Sequence, residues 1–145
     1  MLVRHILQDK GRNVIVIAHV ATIGEAAQLL AEKRIGVVIV TDTEGGLAGI
    51  LSERDVVRAV AGDGPLALGR NVSAYMTKSV ATCREGDSVQ DLMEMMTHGR
   101  FRHVPVLDDS KTLCGLISIG DVVKTRIAET LNEANSLRDY ITATA

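Results

Sequence analysis

The chain of 145 residues contains one internal repeat that covers most of its length. Val14 to Val57 aligns with Val80 to Val123 without a gap, at an offset of 66 positions. Eleven of the aligned pairs are identical: Val14/Val80, Arg34/Arg100, Val38/Val104, Val40/Val106, Asp42/Asp108, Leu47/Leu113, Gly49/Gly115, Ser52/Ser118, Asp55/Asp121, Val56/Val122 and Val57/Val123. Self-similarity at a fixed period means that one supersecondary unit is present twice, so the fold must be built from two similar halves.

Each copy begins with a predicted strand and a capped helix. Short apolar runs at Val14 to Ala18 and Val80 to Cys83 predict the strands. Thr22 and Ser88 follow as hydroxyl N-caps with an acid three residues later, which predicts that a helix begins there. Both helices carry an apolar stripe with the spacing of one buried face, namely Ile23, Ala26, Ala27 and Leu30, and Val89, Leu92, Met93 and Met96.

A hairpin and a second helix complete each copy. The predicted hairpins pair Val37 to Thr41 with Ala48 to Leu51, and His103 to Leu107 with Cys114 to Ser118. The second helices begin at Ser52 and Ser118. The first ends near Ala61, before a segment rich in Gly and Pro, whereas the second continues toward Ile141. The predicted order in each unit is therefore β-α-β-β-α.

Size and composition favour one compact body of two units. These are residues 1–66, including an N-terminal lead-in segment, and residues 67–145 with the extended C-terminal helix. Only three residues are aromatic, and the net charge of −2 comes without a basic stripe, so nucleic-acid binding is not expected. The sequence shows neither a stretch long enough to span a membrane nor a signal peptide, so we expect no membrane partner and a cytoplasmic location.

The sequence offers no catalytic or metal-binding constellation. Cys83 and Cys114 lie 31 positions apart without a Cys or His at ligand spacing, which predicts buried free thiols. The four histidines are scattered, and no nucleophile has a plausible base beside it. We therefore expect a protein that is not an enzyme and holds neither a metal nor a catalytic cofactor.

One motif stands at the start of the second helix in both copies. Gly49 to Asp55 and Gly115 to Asp121 share the pattern Gly-h-h-Ser-x-x-Asp, where h is apolar. One interpretation is a capping box, with Ser as N-cap and Asp supplying a favourable negative charge. The other is a ligand site, because a helix N-terminus with a hydroxyl binds phosphate and a carboxylate accepts hydrogen bonds from the ribose hydroxyls. The same residues can serve both roles.

The repeat, this motif and the strand Phe101 to Asp108 together make the chain resemble a pair of cystathionine-β-synthase (CBS) domains, also called a Bateman module. The resemblance extends from about Val3 to at least Ala128. It implies an α+β fold in which two pseudo-twofold-related units pack through their sheets and leave two clefts for adenosine-containing ligands.

In the family, the Asp of the motif binds ribose and the Ser or Thr binds phosphate. The resemblance thus implies Asp55 with Ser52 in one cleft, and Asp121 with Ser118 in the other. Further phosphate candidates are Arg54, Gly120, Arg102 and His103, although a solvated rim is the alternative for the three cationic side chains. Candidates for the thin apolar slot of the adenine are Val14, Ile15, Ile35, Gly36, Val37, Val80, Thr82, Phe101, Val104 and Pro105.

The expected function is a non-catalytic sensor of energy or redox state that binds AMP, ADP, ATP, NAD(H) or S-adenosylmethionine and regulates another protein. The copies differ within the motif, with Glu53-Arg54 in one and Ile119-Gly120 in the other, which predicts unequal affinities of the two clefts. The alternative is a structural module for protein interaction or dimerisation with vestigial clefts.

An apolar stripe along the C-terminal helix bears on the oligomeric state. It consists of Val123, Ile127, Leu131, Ala134, Leu137 and Ile141. Beyond the reach of its own unit, such a stripe indicates a partner chain, and a homodimer is the habit of the family. The other possibility is a helix that folds back over the sheet of the same chain.

Overall fold

The computed structural model describes residues 1–144; Ala145, the last residue of the predicted second unit, lies outside the described residues. Within this range the helices are α1 Val3–Lys10, α2 Ile23–Lys33, α3 Glu53–Asp63, α4 Val89–Gly99 and α5 Ile119–Thr144. The strands are β1 Val16–Ala18, β2 Val37–Thr41, β3 Leu47–Ser52, β4 His103–Leu107 and β5 Leu113–Ser118. Two short 3-10 helices, Gly64–Gly69 and Val72–Ala74, connect the halves. The predicted α+β class is confirmed.

The first unit has a three-stranded sheet in the order β1-β2-β3. Strands β1 and β2 are parallel, and β2 and β3 form the predicted antiparallel hairpin. Helix α2 begins as predicted, because the Thr22 hydroxyl accepts from the Glu25 amide at 3.1 Å and the Glu25 carboxylate accepts from the Thr22 amide at 3.1 Å. Its apolar face is buried against the sheet, with Ile23 and Ala26 fully excluded from solvent.

The second unit keeps the hairpin β4-β5, but the prediction of a strand over Val80 to Cys83 is wrong. Only Cys83 forms an isolated parallel bridge, to Val106. The reason lies at Pro105, which aligns with Ile39 in the repeat. In the first unit the Ile39 amide donates to the Ile15 carbonyl at 3.1 Å. Because proline has no amide hydrogen, the corresponding bond cannot form, and the parallel pairing is shortened.

The two units exchange their lead-in segments. Helix α1, which the sequence did not predict as a helix, packs into the core of the second unit through Val3, Ile6 and Leu7. Conversely, the segment that leads into the second unit packs on the first, where Val72 is fully buried and its amide donates to the Ala21 carbonyl at 2.8 Å. Each hydrophobic core is thus completed by residues from the other half of the sequence.

The first glycine of the repeated motif permits this exchange. A Cβ at Gly49 would lie 2.6 Å from the Thr77 carbonyl oxygen, and a Cβ at Gly115 would lie 2.6 Å from a methyl group of Leu7. Both distances are shorter than van der Waals contact allows, so a side chain at Gly49 would displace the backbone of the incoming segment, and one at Gly115 would displace the end of the Leu7 side chain.

Helix α5 extends beyond the body of its unit. Val122 is buried in the core, whereas Leu131 and Leu137 are 58% and 61% exposed. The extension therefore does not fold back over the sheet of its own chain. Among residues 1–144, no helix combines the length and the apolarity required to cross a lipid bilayer.

Candidate functional site

Two clefts lie where the units meet, and each combines residues from both halves of the chain. Cleft 1 has a volume of about 440 Å³ and is lined by Gly36, Val37, Ile50, Ser52, Glu53, Arg54, Asp55, Arg58, Thr77, Arg100, Phe101, Arg102 and His103. Cleft 2 has a volume of about 240 Å³ and is lined by Lys10, Asn13, Val14, Ile15, Ile35, Gly36, Val37, His103, Leu116 and Ser118. Small-molecule sites typically occupy roughly 300–1,000 Å³, a range that includes cleft 1.

The N-terminus of α3 forms one wall of cleft 1. Ser52 is its N-cap: the Ser52 hydroxyl accepts from the Asp55 amide at 3.2 Å, and Asp55 Oδ2 accepts from the Ser52 amide at 2.9 Å. The Ser52 hydroxyl also donates to Asp55 Oδ2 at 3.0 Å. The capping box of the sequence analysis is therefore formed. Asp55 Oδ1 makes no hydrogen bond with any residue between 1 and 144, so the cap leaves one carboxylate oxygen available for a ligand.

The N-terminus of α5 repeats this geometry with one addition. Asp121 Oδ2 accepts from the Ser118 amide at 2.9 Å, and the Asp121 amide donates to the Ser118 hydroxyl at 3.2 Å. The same Oδ2 also accepts from Lys10 Nζ at 2.7 Å. A cation from the N-terminal helix is thus bound to the carboxylate that the family resemblance assigns to ribose binding.

The charge of Lys10 affects the pKa of Asp121. Partial burial by itself raises the pKa of Asp121, but the hydrogen bonds from Lys10 and Ser118, together with the positive charge of Lys10, outweigh it and lower the pKa below its usual value. Asp121 is therefore ionised at neutral pH, and its charge is balanced within the protein.

Cleft 1 is rich in cations. Its lining includes Arg54, Arg58, Arg100 and Arg102, against two carboxylates, Glu53 and Asp55. Arg54 and Arg102 were predicted from the sequence, whereas Arg58 and Arg100 were not. Arg58 lies four residues after Arg54 and therefore on the same face of α3, while Arg100 ends α4 in the left-handed conformation (φ 55°) directly before Phe101. The four-residue spacing of Arg54 and Arg58 and the adjacency of Arg100 and Phe101 are the sequence signals that could have identified the two additional arginines.

His103 lines both clefts. Burial, and next the nearby charge of Lys10, lower its pKa below the usual value, and the opposing effect of Asp121 is smaller. At neutral pH its imidazole is uncharged. A contact from His103 to a phosphate would therefore be a hydrogen bond from a neutral ring rather than an ion pair.

The predicted adenine-slot residues divide between the clefts. Val14, Ile15 and Ile35 line cleft 2, Phe101 lines cleft 1, and Gly36 and Val37 line both. The adenine-slot candidates Val80, Thr82, Val104 and Pro105 line neither cleft, and the same is true of the phosphate candidate Gly120 and the ribose candidate Asp121. Val104 is fully buried in the core of the second unit, because its side chain points to the opposite face of β4 from its cleft-lining neighbour His103.

Two cysteines lie outside the clefts, and both are free. Cys83 is buried, and burial raises its pKa to about 12, so its thiol stays protonated. Cys114 is half-buried and also free, with its Sγ 3.4 Å from the Val106 carbonyl oxygen. Among residues 1–144, no group of three or more His, Cys, Asp or Glu side chains is placed to hold a metal ion.

Comparison with known sequences identifies one domain twice. The profile of the CBS domain matches residues 3–62 and 72–128. A 17.7 kDa protein of Acidianus ambivalens is 34% identical over 114 residues, which are 77% of this chain and 66% of that protein. The mitochondrial CBS domain-containing protein CBSX3 of Arabidopsis thaliana is 32% identical over 124 residues, 83% of this chain and 60% of that protein. The chain thus spans less than two thirds of the length of either relative.

Solved structures share the fold over most of the chain. A CBS-domain containing protein from Agrobacterium tumefaciens has a TM-score of 0.82 at 49% identity, with 87% of this chain and 99% of that chain covered. A CBS domain protein from Pyrobaculum aerophilum, complexed with AMP, has a TM-score of 0.75 at 28% identity, with coverages of 83% and 89%. The CBS domain pair of protein MJ0100, in complex with 5-methylthioadenosine and S-adenosyl-L-methionine, has a TM-score of 0.77 at 27% identity, with coverages of 89% and 98%.

Proposed function

Because this chain belongs to the CBS domain family and carries the domain twice, we propose that it is a non-catalytic regulatory module that binds an adenosine-containing ligand between its two units. The observation that carries the proposal is the construction of cleft 1. Its lining combines the carboxylate and hydroxyl of Asp55 and Ser52 in one unit with Phe101, Arg100 and Arg102 of the other. A ligand that touches both walls couples the positions of the two units, which is what a sensor requires.

The chemistry of cleft 1 favours an adenosine phosphate. Asp55 Oδ1 is an acceptor for the ribose hydroxyls, and the N-terminus of α3, which Ser52 caps, carries a partial positive charge that favours a phosphate. The four arginines add forked donors that match phosphate oxygens. The Phe101 ring provides an apolar face for the adenine. The related structures with bound AMP, 5-methylthioadenosine and S-adenosyl-L-methionine support an adenosine ligand, and the cationic lining of this cleft favours AMP, ADP, ATP or NAD(H) among such ligands.

The exposed apolar stripe on α5 supports the further proposal that the module acts as a homodimer. Val123, Ile127 and Leu131 are 48%, 56% and 58% exposed and follow one another at intervals of four residues, so they lie on one face of the helix. A change in the packing of the two units would reach a partner protein through such a dimer. The cytoplasmic location stays a prediction of the sequence.

Calorimetric titration with AMP tests the ligand proposal. The wild type is expected to bind AMP, and Asp55→Asn is expected to weaken binding at cleft 1 by about 10- to 100-fold, since hydrogen bonds to a charged group contribute roughly 1.5–3 kcal/mol. Asparagine keeps an oxygen for the helix cap, so the loss of charge at the ribose position is the main change.

Glu25→Gln is the matched control, because Glu25 holds the same position in the capping box of α2 but lines neither cleft. Its AMP affinity should equal that of the wild type. Absence of any heat of binding, and of any shift in melting temperature, with AMP, ADP, ATP, NAD(H) or S-adenosylmethionine would instead favour a purely structural dimerisation module.

A further inference from the structure

A Ser-x-x-Asp motif lies beside each cleft, but the two motifs differ in what is bound to the carboxylate. Beside cleft 2, Lys10 Nζ donates to Asp121 Oδ2 at 2.7 Å and to the Leu116 carbonyl at 2.9 Å, and Lys10 lines the cleft whereas Asp121 does not. Within residues 1–144, no Lys, Arg or His forms an ion pair with Asp55 in cleft 1. The difference comes from a residue outside the motif, in the lead-in segment.

Lys10 is held in place by the helix that carries it. It is the last residue of α1, whose Val3, Ile6 and Leu7 are buried in the core of the second unit. Gly11 ends the helix immediately afterwards with φ 95°, a conformation that favours glycine. Because α1 is packed in the core, the fold itself fixes the position of the Lys10 ammonium group beside Asp121.

The ammonium group binds Oδ2, one of the two oxygens of the carboxylate that a ribose would use, and balances its charge. A ribose diol binds a carboxylate by donating two hydrogen bonds to it. Asp121 Oδ2 already accepts from the Ser118 amide and from Lys10, and the latter bond is charge-assisted and short. Lys10 also lies in the lining of cleft 2, whose volume of about 240 Å³ is close to half that of cleft 1.

We propose that Lys10 is an affinity-determining residue that covers the carboxylate predicted to bind ribose at cleft 2, so that a ligand in this cleft reaches Asp121 only by displacing the ammonium group. The inference rests on the proposed function. The two clefts then fill in sequence, cleft 1 at lower ligand concentration and cleft 2 at higher concentration. A module with graded sites responds over a wider range of ligand concentration than one with two equal sites.

Titration of Lys10→Met tests the proposal, because methionine keeps the unbranched apolar chain but removes the charge. The titrations use AMP and adenosine, both in the otherwise native chain and with Asp55→Asn to weaken cleft 1. We expect Lys10→Met to tighten binding of both probes at cleft 2 by about three- to tenfold, given that the ion pair is partly exposed. Affinity at cleft 1 should not change.

Lys33→Met is the matched control. Lys33 is likewise the last residue of its helix, α2, and it lines neither cleft. Its affinities should equal those of the wild type, and thermal denaturation of all variants establishes that they are folded.

Unchanged or weaker binding at cleft 2 in Lys10→Met, while the wild type binds AMP, overturns the inference alone. A loss confined to AMP would assign Lys10 to phosphate binding instead. If neither probe binds the wild type or any variant, the proposed function itself fails, and the inference with it.

Discussion

Gly36 lines both clefts, as do Val37 and His103. A Cβ added at Gly36 has no heavy atom within 4 Å, and the backbone there is not in the left-handed region. The space next to Gly36 is therefore open cleft rather than protein interior. Gly36 is one of the residues predicted to form the adenine slot, and a side chain added there tests that prediction directly.

Replacement of Gly36 by valine should fill the clefts without disturbing the fold. The two methyl groups would enter the ligand space, and we expect AMP affinity to fall by about tenfold or more, in line with the cost of overpacking a well-fitted site. The free energy of unfolding should stay within about 0.5 kcal/mol of the wild type, as for other unstrained surface substitutions. Calorimetry and urea denaturation measure the two quantities.

Gly69→Val serves as its control, because a Cβ at Gly69 also meets nothing within 4 Å, yet Gly69 lines neither cleft. Equal AMP affinity in both variants would show that the ligand does not lie beside Gly36.

At the scale of elements, the capped helices and hairpins were predictable because their signals are local. Thr22, Ser52, Ser88 and Ser118 each accept a hydrogen bond from the amide three residues on, as the sequence pattern predicts. The missing strand before Cys83 depends on a partner, Pro105, some twenty residues away, and the pairing cannot be judged from the apolar run alone. Helix α1 was missed because its N-cap, Leu2, is not a typical capping residue.

The exchange of lead-in segments gives a testable role to the first glycine of the motif. Gly49→Ala would place Cβ 2.6 Å from the Thr77 carbonyl oxygen, which is held by paired backbone hydrogen bonds with Ile50 at 2.9 and 3.0 Å. We expect a destabilisation of about 2–3 kcal/mol by urea denaturation, since backbone must move. Gly115→Ala meets only the flexible end of Leu7 and should cost less, about 1–2 kcal/mol.

Gly62→Ala provides the reference for an unhindered glycine. Gly62 lies within α3 with no heavy atom within 4 Å of a built Cβ, so alanine should be neutral or stabilising by up to about 1 kcal/mol. A Gly49→Ala protein as stable as Gly62→Ala would mean that the segment at Thr77 does not lie against β3.

For the whole molecule, the repeat predicted two similar units but not how they are joined. The offset of 66 residues places Ser52 and Ser118 at equivalent points, and the structure has a cleft beside each of them. The pairing of Lys10 with Asp121 spans 111 positions and links a residue outside the aligned repeat to one inside it. The repeat does not predict this contact, because Lys10 lies outside the aligned copies and has no equivalent residue in the alignment.

The exposed stripe on α5 leads to a prediction about assembly. In the proposed homodimer the stripe is buried against a second copy, so a charge placed within it should be unfavourable. We expect the wild type to sediment at twice the chain mass of 15.5 kDa and Leu131→Glu to sediment as a monomer at the same concentration. Analytical ultracentrifugation measures both.

Leu66→Glu isolates the effect of position from that of charge. Leu66 is 76% exposed but lies in the 3-10 helix Gly64–Gly69, away from the stripe, so this variant should remain dimeric. A monomeric wild type would exclude the homodimer. A Leu131→Glu protein that stays dimeric would place the contact between copies on another surface.

Because the ligand clefts lie between the units of one chain, AMP affinity at cleft 1 should be unchanged in a monomeric Leu131→Glu protein. This measurement separates ligand binding from assembly.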